Sequence, residues 1–205
     1  MSTRRKFALF IAFILLPTMM PVLAQDLAPS HIIAGVPAIK QGPHQCGATC
    51  VAMGMNYFGS NVTKDEVFAI VGGPDSNPAG STVCDRVVDY LRTHGFKTKI
   101  YHTTEWEKWK RELTQNHLII SLGVTHTRNT AHFILIIGYD DSRIIRYRWK
   151  PGEEFKGGFL AINPNIGQKR WYDYDFGIKT FVTTRHPNTK RNYMAAISFW
   201  PKDAK

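Results

Sequence analysis

The spacing of apolar residues changes along the chain, and this change restricts the possible folds most. Up to about residue 115, most segments carry apolar residues at helical intervals; from residue 117 onward, short apolar runs alternate with Gly, Pro, Asn and Asp. The first helix is predicted for CGATCVAMGMNYF, with Gly59 ending it. Helices followed by strands predict an α+β fold in which N-terminal helices pack on a C-terminal antiparallel sheet.

The remaining elements follow from the same patterns. A capping box at Thr63 and Glu66 predicts a short helix, and STVCDRVVDYLRTHG and TTEWEKWKRELTQN predict two more. The predicted strands are KTKIY, HLIISLGV, AHFILIIGY, SRIIRYRW, GFLAIN and YMAAISFW. Asp140 and Asp141 are expected to form a turn between the third and fourth of these strands.

The length of 205 residues and the 43% apolar content predict one domain with a real core. The sequence contains no internal repeat and no low-complexity tract. We expect a short N-terminal lead at residues 25–33 and a single domain at residues 34–200.

Residues 1–24 have the pattern of a secretory signal peptide. Arg4, Arg5 and Lys6 precede an apolar run that prolines interrupt before it reaches spanning length, and Val22 and Ala24 suit signal peptidase. We therefore expect a periplasmic or secreted protein with no stable membrane insertion after cleavage. An uncleaved N-terminal anchor is the alternative.

The chain has three cysteines, and in an oxidising compartment an odd number leaves at least one thiol without an intramolecular partner. Cys46 begins a predicted helix, where the helix dipole and free N–H groups favour a thiolate. Cys46 could instead pair with Cys84 or be a small buried hydrophobe. Because Cys46 and Cys50 are four apart on one helix, we expect Cys50 and Cys84 to form a disulfide or a reduced buried pair.

Two further residues complete a candidate site. His132 begins a buried strand that would hold its ring as a general base, and Asn163 ends another strand just before Pro164. Taken singly, a histidine at a strand start and an Asn-Pro turn are common structural features. Both follow Cys46 in the chain, and each of the three residues lies at the end of a predicted helix or strand. This combination indicates a thiol-dependent active site.

The segment VPAIKQGPHQCGATCVAMGMNYFG, with Gln41 five residues before Cys46, resembles the nucleophile segment of the bacteriocin-processing double-glycine peptidases and their secreted relatives. AHFILIIGYDD and FLAINPN resemble later parts of that family, and the likeness covers residues 34–167. It implies a papain-like cysteine peptidase fold. By this resemblance Gln41 supplies a side-chain donor to the oxyanion hole, Cys46 is the nucleophile, His132 is the base and then the acid, and Asn163 orients the imidazole.

The chain departs from the family in two places. Asn163 stands where the family usually has Asp, although papain-like enzymes use Asn there. An apparent insertion, SRIIRYRWKPGEEFKGG, precedes Asn163, so Asp140 and Asp141 are alternative candidates for the orienting residue. Because we expect a signal peptide and no attached transporter, the leader-peptide substrates of transporter-linked members are not expected to carry over.

The formal charge of +10 comes largely from basic residues late in the chain, interleaved with aromatic residues. Such a pattern can bind nucleic acid, but alternation along a strand more often marks a solvated face, and an anionic envelope surface is the next reading. We expect no nucleic-acid partner. The histidines lack metal-ligand spacing, and we expect neither a metal nor a cofactor.

Together these features predict a secreted or periplasmic thiol hydrolase that cleaves a peptide or isopeptide bond in a peptide or protein substrate. An acyltransferase or a cell-wall peptide amidase could use the same residues. A catalytically eroded peptide-binding module is the non-enzymatic alternative.

Overall fold

The computed structural model describes residues 27–72, 84–102, 105–125, 130–175 and 196–204; the predicted signal peptide lies outside them. The helices are α1 (Cys46–Tyr57), α2 (Lys64–Val71), α3 (Cys84–Thr93) and α4 (Trp106–Thr114). The strands are β1 (Ser30–Ile32), β2 (Phe96–Tyr101), β3 (Leu118–Thr125), β4 (Thr130–Ile145), β5 (Phe155–Asn163), β6 (Gln168–Asp173) and β7 (Ala196–Pro201). None of the helices in these ranges combines the length and hydrophobicity needed to cross a bilayer.

The strands form one sheet in the order β2-β7-β3-β4-β5-β6, with β1 added against β4, and every described pairing is antiparallel. The α+β prediction is therefore confirmed. In the β4–β5 pair, Leu135 lies opposite Ile162. This register brings the start of β4, with His132, to the same end of the sheet as Asn163 at the end of β5.

Helix α1 is buried along most of its length, as its apolar sequence predicts, with Cys46 to Met55 all buried. Gly54 lets the helix lie directly on the sheet, because a Cβ atom there would come within 2.2 Å of the Phe199 ring and 3.2 Å of Leu118. Helix α2 starts with the predicted capping box of Thr63 and Glu66. Each fully buried apolar side chain in this layer contributes roughly 1.5–3 kcal/mol, so the helix that carries Cys46 is held rigidly.

Two parts of the sheet differ from the sequence-based expectation. The turn predicted at Asp140 and Asp141 is wrong, because β4 continues through both residues to Ile145. Between Asp140 and Ile144 the pairing with β5 shifts, so a bulge accommodates the extra residues within one strand. Strand β6 was not anticipated, since its sequence QKRWYD lacks a clear alternation of apolar and polar residues.

Candidate active site

Cys46 is the first residue of α1 and is only 8% exposed. Burial raises the pKa of its thiol, and the backbone N–H groups of Phe133, Gly47 and Cys46 itself, which hydrogen-bond the sulfur, lower it in part. The thiol is therefore protonated in the resting protein. A nearby base has to remove its proton before the sulfur can act as a nucleophile.

His132 lies next to Phe133, whose N–H faces the sulfur of Cys46, and it is buried in β4. Burial lowers the pKa of its imidazole, and a hydrogen bond with Asn163 raises it in part. The imidazole is consequently neutral near pH 7, which is the protonation state a general base requires.

Asn163 determines which nitrogen of His132 carries the proton. The Nε2 atom of His132 lies 3.0 Å from Asn163 Oδ1, and the backbone N–H of Asn165 donates to the same oxygen at 3.0 Å. The other end of the amide, Nδ2, donates to the hydroxyl of Tyr172 at 2.9 Å. Because the N–H of Asn165 can only donate, Oδ1 is the acceptor end, so His132 Nε2 donates and Nδ1 keeps its lone pair.

Gln41 is attached to the segment that carries Asn163. Its backbone N–H donates to the carbonyl of Pro164 at 2.8 Å. Gly167, with a φ of +62°, packs against Lys40, and a Cβ atom on this glycine would lie 3.0 Å from the backbone nitrogen of Lys40. The side-chain Oε1 of Gln41 is buried without a hydrogen-bond partner in the described part of the chain. One end of this amide is thus available to a bound ligand.

The two alternative orienting residues make other contacts. Asp140 accepts hydrogen bonds from the backbone N–H and the hydroxyl of Ser142. Asp141 forms an ion pair with Lys110 at 2.9 Å and accepts a hydrogen bond from the Tyr174 hydroxyl at 2.6 Å. The partner of His132 in this structure is Asn163 and not either aspartate.

All three cysteines are free thiols in the structure; Cys46 and Cys50 are buried and Cys84 is half-buried, and the expected pairing of Cys50 with Cys84 stays a prediction. Burial raises the pKa of Cys50 well above its ordinary value, with a further contribution from the nearby Cys46. Burial and the charge of Asp85 raise the pKa of Cys84 to about 12. These shifts make both thiols poor nucleophiles.

The basic residues near the β4–β5 connection are exposed or half-buried, and two of them are neutralised by ion pairs. Arg146 pairs with Glu154, and Lys150 pairs with Glu153. These contacts agree with a solvated face. The described ranges hold no group of three or more His, Cys, Asp or Glu side chains placed to bind a metal ion.

Sequence reasoning missed two side chains that support the site. Tyr172 lies on the unanticipated strand β6 and holds the amide of Asn163. Gln45, directly before Cys46, is buried and contacts both Gly42 and Asp65. Its position beside the candidate nucleophile was the only available signal.

A mixed helix and antiparallel-sheet fold with a buried thiol at a helix start and a neutral imidazole on the adjoining strand is that of a papain-like cysteine peptidase. A model of the Peptidase_C39 like family matches residues 33–184, so the chain belongs to that family. It is a cysteine peptidase-like enzyme, as the resemblance to double-glycine peptidases predicts. Among curated proteins, none matches the sequence significantly.

The solved structures that this chain resembles are distant in sequence. A Bacillus anthracis protein described as a C39-like peptidase has a TM-score of 0.54 at 15% identity, with 86% of this chain and 99% of that one covered. The peptidase domain of Streptococcus ComA, a bifunctional ABC transporter of a quorum-sensing pathway, has a TM-score of 0.49 at 11% identity, with 81% and 97% covered. A double glycine motif protease from an AMS/PCAT transporter, in complex with the leader peptide, has a TM-score of 0.47 at 16% identity, with 83% and 98% covered.

Proposed function

We propose that this protein is a periplasmic or secreted thiol hydrolase that cleaves a peptide or isopeptide bond with Cys46, His132 and Asn163. One observation carries the proposal: Nε2 of His132 is hydrogen-bonded to Asn163, while the N–H of the next residue, Phe133, faces the sulfur of Cys46. This arrangement leaves Nδ1 of His132 as the free base on the strand that contacts the thiol.

The reaction begins with a neutral thiol and a neutral imidazole. His132 Nδ1 removes the proton from Cys46 as the sulfur forms a bond to the carbonyl carbon of the substrate. Asn163 accepts from Nε2–H and keeps the ring oriented, but as a neutral amide it stabilises the imidazolium less than a carboxylate would.

The negative charge that develops on the carbonyl oxygen needs hydrogen-bond donors. The N–H groups at the start of α1 are suitable: Gln45 at the N-cap position makes no side-chain capping bond to them, and those of Cys46 and Gly47 already face the sulfur that would bond to the carbonyl carbon. The amide of Gln41 is the second donor: rotation of its terminal group by about 180° would exchange Oε1 for Nε2.

Collapse of the tetrahedral intermediate breaks the C–N bond, and the imidazolium of His132 gives its proton to the leaving amine. A water molecule, deprotonated by the same Nδ1, then attacks the thioester. The thiolate leaves, recovers the proton from His132, and the carboxylic acid product departs.

The substrate class and location rest on the family and on the N-terminal segment. The chain belongs to the Peptidase_C39 like family, and we propose a peptide or protein substrate on that ground. The signal-peptide pattern of residues 1–24 supports action outside the cytoplasm.

The mature protein should react with a thiol-directed acyl electrophile, with the label located at Cys46 by mass spectrometry. Labelling should disappear in Cys46→Ala and fall by about 10²- to 10⁴-fold in rate in His132→Ala. Labelling of the wild type at Cys50 or Cys84, or an unchanged rate in His132→Ala, would contradict the proposed mechanism.

The same preparation separates the alternatives. A transferase or amidase on these residues would pass the acyl group to an added amine in preference to water, and analysis of the product identifies the acceptor. An eroded binding module would bind peptides equally well as wild type and as Cys46→Ala, with no turnover by either.

A further inference from the structure

Gln45 directly precedes Cys46 and is buried, yet the catalytic mechanism proposed above gives it no role. We propose that Gln45, together with Asp65, is a positioning residue that holds the Gln41–Gly42 peptide so that the Gln41 side chain can bind the oxyanion. This inference rests on the proposed function.

The side chain of Gln45 bridges two elements. Its Oε1 accepts from the backbone N–H of Gly42 at 2.9 Å, and its Nε2 donates to Oδ1 of Asp65 in the first turn of α2 at 2.6 Å. A backbone N–H can only donate and an ionised carboxylate can only accept, so both partners select one orientation of the Gln45 amide. Helix α2 therefore determines where this amide points.

Gly42 is the residue that permits this contact. A Cβ atom at position 42 would lie 2.4 Å from Oε1 of Gln45, and real Cβ atoms do not approach oxygen atoms that closely. The short loop before Cys46 thus combines a buried amide with the one residue type whose backbone can reach it.

The two peptide groups that flank Gln41 are both held. The N–H of Gln41 donates to Pro164, beside Asn163, and the next N–H, on Gly42, donates to Gln45. Fixing both peptide planes leaves Gln41 only its side-chain torsions. Gln41 Oε1 is buried and has no hydrogen-bond partner within the described ranges, so the protein leaves this end of the amide unsatisfied.

If the hydrogen bonds of Gln45 position Gln41 for the oxyanion, their loss should slow reactions of Cys46 that form an oxyanion and spare reactions that do not. Attack of Cys46 on a p-nitrophenyl ester forms a tetrahedral oxyanion before p-nitrophenolate leaves. Attack on iodoacetamide forms an S–C bond and releases iodide with no oxyanion. The two rates, measured at Cys46 on the same variant, therefore separate positioning of Gln41 from general damage to the thiol or to His132.

In Gln45→Ala we expect acylation by the ester to slow by about 10- to 100-fold, with alkylation by iodoacetamide within about twofold of wild type. Asp65→Ala should show the same selective loss, and Asp65→Asn, which keeps an acceptor oxygen, should restore most of the rate. Adding Gln41→Ala to Gln45→Ala should lower the acylation rate little further, because both changes remove the same interaction of Gln41 with the oxyanion.

Asn56→Ala is the matched control, because its side chain makes two hydrogen bonds to Val62 in the loop after α1 and none to the loop before Cys46. It should lower stability and leave both rates unchanged below its melting temperature. Should Gln45→Ala fail to fold, the pair Asp65→Ala and Asp65→Asn carries the same comparison.

Equal losses in the two reactions of the Gln45 or Asp65 variants, or no loss in either, would overturn the inference while leaving the proposed function intact. A wild-type protein that is alkylated at Cys46 but not acylated by the ester would contradict the proposed function and this inference together.

Discussion

The imidazole of His132 and the amide of Asn163 meet at 3.0 Å between Nε2 and Oδ1, although the two residues are 31 positions apart in the chain. Antiparallel pairing of β4 with β5 makes this contact, and the N–H of Asn165 and the hydroxyl of Tyr172 hold the amide in one orientation. The protonated nitrogen of His132, Nε2, therefore bonds to Asn163, and the other ring nitrogen, Nδ1, remains available as the base.

The first prediction concerns the charge of the orienting residue. Replacing Asn163 with Asp places a carboxylate beside the imidazole, which favours imidazolium and raises the pKa of His132. The acidic limb of the kcat/KM profile should shift to higher pH by about one unit or more. In wild type, burial lowers the pKa of His132, so the acidic limb should lie below the ordinary histidine range.

A pH profile of acylation, recorded for wild type and for Asn163→Asp, measures the position of the acidic limb in each protein. An unchanged acidic limb in Asn163→Asp would show that His132 does not titrate in the reaction. Asn163→Ala serves as the control for loss of orientation, since it should lower the plateau without adding a charge.

The second prediction concerns Tyr172, whose hydroxyl accepts from Nδ2 of Asn163. Tyr172→Phe should lower stability by about 1 kcal/mol, because a largely buried N–H loses its partner. Turnover should fall several-fold because the amide of Asn163 is less constrained, and KM should stay close to wild type. Thermal unfolding and steady-state kinetics check the two effects, and a larger change in KM than in kcat would contradict the orienting role.

The predictability of this site from sequence depended on the kind of signal each residue leaves. Cys46 and His132 could be found because each begins an element whose apolar pattern is clear. Asn163 could be found because it ends a strand at a proline. Gln45 and Tyr172 could not, since their roles consist of hydrogen bonds between segments that leave no periodic pattern.

The fold, too, could be predicted where an element has a clear apolar pattern and not where it depends on contacts between distant segments. The helix-then-strand order was visible in the apolar spacing, whereas the continuation of β4 through the polar pair Asp140 and Asp141 was not. Asp140 bonds locally to Ser142. Asp141 is held by Lys110 from α4 and by Tyr174, and neither contact could be inferred from local sequence. The bulge between Asp140 and Ile144 also interrupts the regular pairing of the strand, so the local sequence does not show that the strand continues.

The third prediction concerns acid stability. Burial alone would raise the pKa of Glu112, but hydrogen bonds from His117, Tyr101, Lys99 and Ser198 lower it to about 2. A carboxyl with a depressed folded-state pKa stabilises the fold above its unfolded pKa, and this contribution disappears as the pH falls from about 4.5 toward 2.

Glu112→Gln should therefore reduce the free energy of unfolding near pH 7 by about 2 kcal/mol or more. The difference from wild type should shrink as the pH falls through that interval. Denaturant titrations at several pH values measure it, with the exposed Glu154→Gln as a control. A difference that is independent of pH between 2 and 7 would be inconsistent with the network.

The fourth prediction concerns processing of the N-terminal segment. Cleavage after Ala24 should give a mature protein that begins at Gln25 and is recovered from the periplasm or the medium. Intact-mass analysis of the exported protein determines the start. A full-length chain retained in the cytoplasm would contradict the proposed location.

If Cys46 cleaves peptide bonds in a peptide or protein substrate, its loss removes the cleavage products from cells. Proteome-wide identification of new chain termini, in cells that carry wild type or Cys46→Ala, detects these products. We expect a set of cleaved termini that is present with wild type and absent with Cys46→Ala at matched protein levels. Identical sets of termini in the two strains, under conditions in which the mature protein is produced and exported, would contradict it.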